Sequence, residues 1–190
     1  MDVEAYHRME LRIALDGADS RRAMPVIPPG VTSILDVGCG AGQTLIASRL
    51  RPAVRAVGVD PDFEALALGR RLGAPVHLVH ACGESLPFAA DSFDMVISRV
   101  AVPYMRRGSA LAEMARVLRP GGHALLVVGD GIVDDRPEHA PDAIAEAGAP
   151  VGLEPVARAS QARPIHDRRL AQIFAGQPRR EHLLLLRRRG

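Results

Sequence analysis

Apolar runs of four to six residues alternate with amphipathic stretches along most of the chain, and each run ends near a Gly or Asp turn. The runs predict strands at Ser33–Val37, Ala56–Val59, Val76–His80, Met95–Ser98 and Ala124–Val128. The stretches between them predict helices near Gly42–Leu50, Phe63–Leu72, Ser109–Leu118 and Pro141–Ala147, with a short turn around Ser85–Phe88. Because near-continuous apolar strands joined by helices are typical of parallel sheets covered on both faces, the pattern predicts an α/β fold.

The two ends of the chain depart from this alternation. Residues Ala5–Leu15 place apolar side chains at helical spacing, which predicts a short amphipathic helix, and a connector rich in proline, Ser20–Gly30, follows it. Near the other end, Leu153–Ala159 and His182–Arg187 are predicted as two final strands. A long connection joins these strands, and it contains a predicted helical stretch at Ala171–Ala175.

Composition excludes several kinds of chemistry. The net charge of +2 is close to zero, and acids and bases are mixed along the chain, so we expect no nucleic-acid-binding surface. All 24 cationic residues are Arg, which excludes a Lys Schiff base, a phosphate-loop Lys and a Lys general base. Cys39 and Cys82 match neither a metal-ligand nor a disulfide spacing, so we predict no metal site and a reducing, cytoplasmic setting. No apolar run approaches the ~20 residues that a membrane-spanning helix requires, and we expect no membrane contact.

The segment ILDVGCGAGQT, Ile34–Thr44, holds three glycines spaced two residues apart after an aspartate, Asp36. It follows a predicted strand, where the loops of an α/β sheet bind ligands. The dinucleotide pattern G-x-G-x-x-G fails because Gln43 stands where the third glycine belongs. An acid before the glycines would repel a pyrophosphate but suits a cationic group. A second acid, Asp60, ends the next predicted strand, where it can accept from both ribose hydroxyls. These residues predict a nucleoside ligand with a cationic amino-acid arm.

Four segments, in order, resemble the motifs of class I S-adenosylmethionine-dependent methyltransferases. They are ILDVGCGAGQT, VGVDPD, CGESLPFAADSFDMVIS and EMARVLRPGGHALLV, and they cover roughly residues 32–128. The resemblance implies a doubly wound, mostly parallel seven-stranded sheet with helices on both faces, an antiparallel final strand and a short N-terminal helix. We expect a single domain, with an N-terminal helix and connector (1–30), a cofactor-binding core (31–130) and a C-terminal half on the substrate side (131–190).

The resemblance also implies roles for individual residues. The cofactor would be S-adenosylmethionine, with S-adenosylhomocysteine as its product. Asp36 and the glycine loop would hold the amino-acid end, Asp60 the ribose, and Pro61, Asp62 and Phe63 would flank the adenine. The predicted cofactor-binding residues are Asp36, Gly38, Cys39, Gly40, Gly42, Gln43, Thr44, Asp60, Pro61, Cys82, Gly83, Glu84 and Ser98.

One position departs from the family pattern. Where the family usually carries an Asp that accepts from the adenine amino group, this chain has Cys82, a weak acceptor. Glu84 or a backbone carbonyl would then take over that contact. The alternative is that Cys82 is a small buried residue at the end of the third strand. For Cys39, a packing role in the loop is the simpler interpretation.

The acceptor is harder to predict, because the cofactor supplies the activated methyl group and the protein mainly aligns the nucleophile. Candidate catalytic residues are Arg99, Tyr104 and His139, and candidate substrate or lid residues are Tyr6, His7, Glu10 and His166. The segment SRVAVPYM lacks the motif of many amino methyltransferases, and too few cysteines are present for arsenic methylation. We therefore expect transfer to an O, N or C atom of a small molecule by a monomer or homodimer. The alternatives are an RNA or protein methyltransferase and a non-catalytic partner subunit of the same fold.

Overall fold

A computed structural model describes residues 3–16, 27–129, 140–162 and 180–190. The strands are β1 (Ser33–Val37), β2 (Arg55–Asp60), β3 (His77–His80), β4 (Phe93–Arg99), β5 (Leu118–Gly129), β6 (Leu153–Ala162) and β7 (Arg180–Arg188). The helices are α1 (Val3–Asp16), α2 (Gln43–Ala47), α3 (Phe63–Arg71), α4 (Arg107–Val117) and α5 (Pro141–Gly148). The predicted helical stretch Ala171–Ala175 lies outside the described residues. Within those residues, no helix is both long enough and apolar enough to cross a membrane.

The seven strands form one sheet in the order β3-β2-β1-β4-β5-β7-β6. Strands β1 to β5 pair in parallel, whereas β7 lies antiparallel to both β5 and β6. The predicted fold class is confirmed, including the antiparallel final strand and the short N-terminal helix. The strand order reverses between β1 and β4, so the carboxyl ends of these two strands open a crevice in which ligands bind in doubly wound sheets.

Alternation along the strands assigns each side chain to one of two apolar layers. One layer includes Leu35, Val96 and Leu126 and packs against Leu111 of α4 and Ile144 of α5. In the opposite layer, Leu45 of α2 and Val31, before β1, pack on the alternate strand residues Ile34, Met95, Ile97, Leu125, Val127 and Leu183. Helices therefore cover both faces, as the near-continuous apolar strands predicted.

Several element boundaries differ from those that the sequence predicts, and two of them have a local structural cause. The fifth strand begins at Leu118 rather than Ala124, because Leu118 pairs with Phe93 before the register shifts. Helix α2 ends at Ala47 rather than Leu50, and Arg49 beyond it has a φ of 44°, which a continuing right-handed helix does not allow. Turn conformations that depend on single residues are invisible to apolar periodicity.

A carboxylate ties the amino ends of β1 and β4 together, at the edge of the sheet away from the crevice. Asp94 Oδ2 accepts hydrogen bonds from the backbone amides of Thr32 (2.8 Å) and Ser33 (2.9 Å) and from both hydroxyls (2.9 Å each). Arg119 donates to the other oxygen. Burial alone would raise the pKa of Asp94, but these donors outweigh it and hold the pKa well below its usual range.

We predict that Asp94→Asn lowers the free energy of unfolding by about 2–3 kcal/mol at pH 7, because the charge-assisted hydrogen bonds from Thr32 and Ser33, at the start of β1, are weakened. The folded-state pKa is depressed, so the contribution of Asp94 is complete above the unfolded pKa of about 4 and declines as the pH falls further. Chemical denaturation at pH 7 and pH 3 should therefore show the difference narrowing at the lower pH. The control is Asp91→Asn, at a half-exposed carboxylate paired with Arg188, where we expect a change below about 1 kcal/mol.

Candidate functional site

The glycine loop turns sharply from β1 into α2 at the crevice. Gly38 and Gly40 have φ values of 80° and 55°, in the left-handed region that residues with a Cβ rarely adopt. A Cβ at Gly38 would lie 2.2 Å from the Cβ of Ala101, and one at Gly40 would lie 2.7 Å from Cε1 of His7. The loop is therefore overlaid by the segment that follows β4 and by α1, and neither neighbour leaves room for a larger residue.

Asp60, at the carboxyl end of β2, fixes the shape of this loop. Its Oδ2 accepts from the amide of Gly40 at 2.7 Å, and its Oδ1 accepts from the amide of Asp62 at 2.8 Å. Each carboxylate oxygen has a second lone pair, so both can still accept from a ligand hydroxyl. Asp62 has a different use, because its Oδ1 accepts from the amides of Glu64 and Ala65 and caps α3.

Asp36 is buried at the end of β1 in an environment that disfavours its charge. Its exposed fraction is 1%, and neither carboxylate oxygen has a hydrogen-bond partner. Burial, followed by repulsion from Asp60, raises the pKa of Asp36 to about 8, although attraction to Arg99 opposes the shift. At neutral pH the carboxyl group of the free protein is therefore mostly protonated. A cation placed beside it would restore the charged form.

Arg99, predicted as catalytic, is held in a buried ion pair. Its Nη2 lies 2.7 Å from Oε1 and 2.9 Å from Oε2 of Glu181, and Gln161 Nε2 donates to Oε2 at 3.1 Å. Glu181 is the second residue of β7 and is 2% exposed. Glu181 was not predicted as a site residue, although the four leucines after His182 predict a buried strand, and an acid at the start of a buried strand is a signal for a buried ion pair.

The loop after β3 lies at the same edge of the sheet. Cys82 is exposed there, so the expectation of a small buried residue at the end of β3 is wrong; the strand ends at His80, and Cys82 belongs to the turn that follows. Gly83 is buried beneath Met105, whose Sδ would lie 2.8 Å from an added Cβ. Glu84 accepts from the amide of Arg106 at 2.8 Å and so joins this loop to the start of α4.

Two side chains of α4 fix the next part of that loop, the predicted turn around Ser85–Phe88. Glu113 Oε2 accepts from the amide of Leu86 at 2.7 Å. Arg116 donates to the carbonyls of Leu86 (3.0 Å) and Phe88 (2.8 Å) and pairs with Glu113 at 2.6 Å. The turn forms no helix, and its position depends on these contacts with α4.

The end of β4 combines an internal hydrogen bond with backbone strain. Ser98 Oγ donates to the carbonyl of Val37 at 2.8 Å and is fully buried, so this hydroxyl joins β4 to β1. Val100 has a φ of 54°, an outlier for a β-branched residue, and its amide donates to Val127 at 2.7 Å. Tyr104 follows in a 3-10 turn and is 67% exposed.

Three predicted loop residues face inward. The thiol of Cys39 packs against Leu66 and Leu78, and burial raises the pKa of this thiol well above its usual value, so the packing interpretation describes its side chain. Gln43 Oε1 accepts from the amide of Ala41 at 3.0 Å, and Thr44 is buried. Their predicted contribution to cofactor binding would come from the backbone of the loop.

The remaining predicted residues border the crevice or lie outside the described residues. His7 on α1 is half-buried, with Nε2 4.0 Å from Asp62 Oδ2, and burial lowers its pKa against the opposing attraction of Asp62 and Asp60. Glu10 is buried on the same helix. The side chain of Tyr6, and residues His139 and His166, are not among the parts of the chain that the structure describes.

Phe63 projects from the start of α3 beside the crevice. It is 55% exposed and lies edge-on to His80, with the ring centroids 5.8 Å apart. His80 Nε2 lies 2.9 Å from the carbonyl of Pro61. Phe63 was predicted to flank the adenine, and its exposed aromatic face next to Asp60 is available for that contact.

A doubly wound sheet in this strand order, with a glycine loop after β1 and an acid ending β2, defines a Rossmann-like methyltransferase fold. The family described as "Methyltransferase domain" matches residues 35–126. An uncharacterized methyltransferase of Mycobacterium sp. (strain JLS) is 38% identical over 110 residues, which are 57% of this chain and 43% of that protein. Residues 35–126 therefore carry a methyltransferase domain, and the family match and this relative support a class I S-adenosylmethionine-dependent methyltransferase.

Two further relatives show how far the similarity extends. The ubiquinone/menaquinone biosynthesis C-methyltransferase UbiE of Geobacter sulfurreducens is 37% identical over 103 residues, 50% of this chain and 40% of that one. The chain thus spans about two fifths of the length of these curated relatives. A solved complex of the Haloferax volcanii Trm112 methyltransferase activator with a methyltransferase contains a chain of the same fold, with a TM-score of 0.70 and 22% identity, covering 98% of this chain and 96% of that one.

We predict that Asp36→Asn stabilises the ligand-free protein at alkaline pH. The folded-state pKa of Asp36 is raised, so Asp36 destabilises the wild-type fold at pH values above the unfolded pKa of about 4. This destabilisation grows with pH until about pH 8. The variant should exceed the wild type in unfolding free energy by up to ~4 kcal/mol at pH 8 and by much less at pH 5. Denaturation curves at both pH values measure this difference. Asp142→Asn, at an exposed carboxylate, is the control and should show no such pH dependence. A constant difference between the two pH values would contradict the assignment.

Proposed function

We propose that the protein transfers a methyl group from S-adenosylmethionine to an O, N or C nucleophile of a small molecule by in-line displacement. The observation that carries the proposal is the carboxylate of Asp36, buried at the reversal of strand order with neither oxygen hydrogen-bonded. A buried carboxylate is stable as an anion only beside a cation or strong donors. The amino-acid end of S-adenosylmethionine carries an ammonium group, and the adjacent sulfonium adds a second positive charge.

The remaining cofactor contacts follow from the loops around Asp36. Asp60 would accept from the ribose hydroxyls with the lone pairs left by its two backbone contacts. The exposed ring of Phe63 would flank the adenine on one side, and the loop containing Cys82 and Gly83 would border its edge. The residues present thus fit the ammonium group, the ribose and the adenine of the cofactor, with Cys82 as the weakest acceptor among them.

The bound sulfonium supplies an electrophilic methyl group, so the chain itself must align an acceptor and exclude water. The segment after β4 is suited to alignment, since strained Val100 leads to Ala101, which packs on Gly38. Arg99 is engaged by Glu181 and does not act as a base. Tyr104, exposed at the rim, is the described side chain that we expect to contact the acceptor.

A small-molecule acceptor is favoured over RNA by the charge pattern. Acids and bases are interspersed, and the net charge of +2 leaves an excess of only two cations, too few to follow a phosphate backbone. The Geobacter sulfurreducens relative, a C-methyltransferase of quinone biosynthesis, supports the same class of substrate.

A second candidate is a methyltransferase that requires an activator subunit. It is favoured by the Haloferax volcanii structure, in which a chain of this fold and nearly this length belongs to a complex with a methyltransferase activator. Under this proposal the isolated chain would fold but bind the cofactor weakly.

We predict that the purified chain binds S-adenosylmethionine and S-adenosylhomocysteine and releases about one proton per cofactor at pH 7, because the ammonium group converts neutral Asp36 to its anion. Calorimetric titration in two buffers of different ionisation enthalpy measures the release. The release should shrink as the pH rises from 7 to 8, since a growing fraction of Asp36 is already ionised before the cofactor binds. Asp36→Asn should bind more weakly and release no proton, whereas Asp142→Asn should match the wild type. Absence of binding by a demonstrably folded chain would contradict the leading proposal and favour the activator-dependent one.

We also predict that Cys82→Asp binds S-adenosylhomocysteine about 3- to 10-fold more tightly, because a carboxylate at this exposed loop position accepts from the adenine amino group. Cys82→Ser, of similar size, is the matched control and should change the affinity by less than about twofold. The same titration measures both variants. Weaker binding by Cys82→Asp would show that the adenine edge lies elsewhere.

A further inference from the structure

Four charged side chains project from one face of the sheet at its carboxyl edge. Side chains two residues apart on a strand lie on the same face. Asp36 therefore lies on the face of Ile34, Arg99 on that of Ile97, and Glu181 on that of Leu183, and these three apolar residues belong to one layer. Asp60 follows two residues after Gly58, the β2 partner of Asp36, and so lies on that face as well. The order across the sheet is Asp60, Asp36, Arg99 and Glu181, three carboxylates with one guanidinium.

Glu181 reaches Arg99 across an intervening strand. The β5 residue paired with Glu181 is Gly129, which has no side chain to separate the two. The guanidinium donates to both carboxylate oxygens, and Gln161 of β6 holds one of those oxygens from the far side. The side chains of Arg99 and Glu181 are 17% and 3% exposed, so water screens this pair weakly.

Among the described residues, the carboxylates of Glu181 and Asp36 both act on Arg99, and Glu181 is the one hydrogen-bonded to it. The charge of Arg99 is felt at Asp36, on the neighbouring strand and the same face, yet no hydrogen bond joins these two side chains. If the charge of Glu181 were removed, the buried guanidinium would gain by pairing with Asp36. That pairing would occupy the carboxylate proposed to receive the cofactor ammonium.

We infer that Glu181 is a positioning residue for the cofactor: by holding Arg99 in a bidentate pair, it keeps the guanidinium off Asp36 and leaves that carboxylate to the ammonium group of S-adenosylmethionine. The inference rests on the proposed role of Asp36. It gives the C-terminal strand β7 a part in cofactor binding, although Glu181 lies 82 residues from Arg99 in sequence and needs no contact with the cofactor.

The test uses Glu181→Gln and the double variant Arg99→Gln/Glu181→Gln of the full chain, titrated calorimetrically with S-adenosylhomocysteine. Glu181→Gln keeps the shape of the side chain and removes its charge, so Arg99 turns to Asp36 and the affinity falls at least about tenfold. The double variant removes the competing guanidinium as well, and its affinity returns to within about threefold of the wild type. A merely structural role for Glu181 would give no such recovery.

A readout without cofactor separates the two proposals. The carboxyl ¹³C resonance of Asp36 reports its pKa in the free protein, where Asp60, Arg99 and the Cys39 thiol are the titratable neighbours. Glu181→Gln should lower that pKa as Arg99 approaches, and the double variant should raise it above the wild-type value. Glu154→Gln is the matched control, since it removes one charge from an exposed Glu–Arg pair on β6, and it should change neither the affinity nor the Asp36 pKa.

Each outcome is decisive for one of the proposals. Equal affinity of the wild type and Glu181→Gln overturns the inference alone, and so does a tenfold loss that persists in the double variant. Should Glu181→Gln not fold, the double variant still decides, because a loss of affinity there means that the pair contributes directly. If the folded wild type does not bind S-adenosylhomocysteine, the proposed function fails, and the ¹³C titration still tests whether Glu181 keeps Arg99 from Asp36.

Discussion

A carboxylate removed from water with no donor beside it is the constraint around which the crevice is organised. Asp36 lies at the end of β1, where strand pairing leaves it between Gly58 and Ile97 and where solvent does not reach it. Such a group is stable in one of two states, protonated or next to a positive charge. The nearby acid on β2 increases the cost of ionisation, and Arg99 offsets only part of it. A site of this kind favours a positively charged ligand over a neutral ligand of the same shape.

The same acid on β2 has a second function, which is mechanical. Asp60 holds the amide of Gly40 and the amide of Asp62, so it fixes the glycine loop and the turn into α3 at once. Asp62 in turn caps that helix, and Phe63 is presented at its first position. The glycine loop, Asp60 and the exposed ring of Phe63 therefore share one hydrogen-bonded unit, and a displacement of any of them would move the others.

How much of this could be predicted depends on the range of the interaction. Strand β1 matches its prediction residue by residue because a fully buried run in which only Ser33 and Asp36 are polar is typical of a central strand in an α/β sheet. The glycine loop follows this strand directly, and Asp36 and Asp60 lie at the ends of β1 and β2, so all of them were predictable from local order. The exposure of Cys82 was not, because the turn after β3 has no periodic pattern that assigns its side chains to the core or to solvent. Nor was the pairing of Arg99 with Glu181, which arises only when the sheet brings β4 and β7 within one strand of each other.

The two edges of the sheet contribute to folding with opposite sign. Asp94, at the amino edge, is a carboxylate supplied with donors, whereas Asp36, at the crevice, is one deprived of them. A protein with such a crevice is less stable when empty than when a cation fills it, because a ligand that binds only the native state shifts the folding equilibrium. Chains that unfold more often are degraded faster, so the amount of the protein follows the fraction of molecules whose crevice holds a cation. The level of this protein in a cell would then follow the supply of the cation that fills the crevice, without a dedicated regulator, and the buried carboxylate would serve as the sensor.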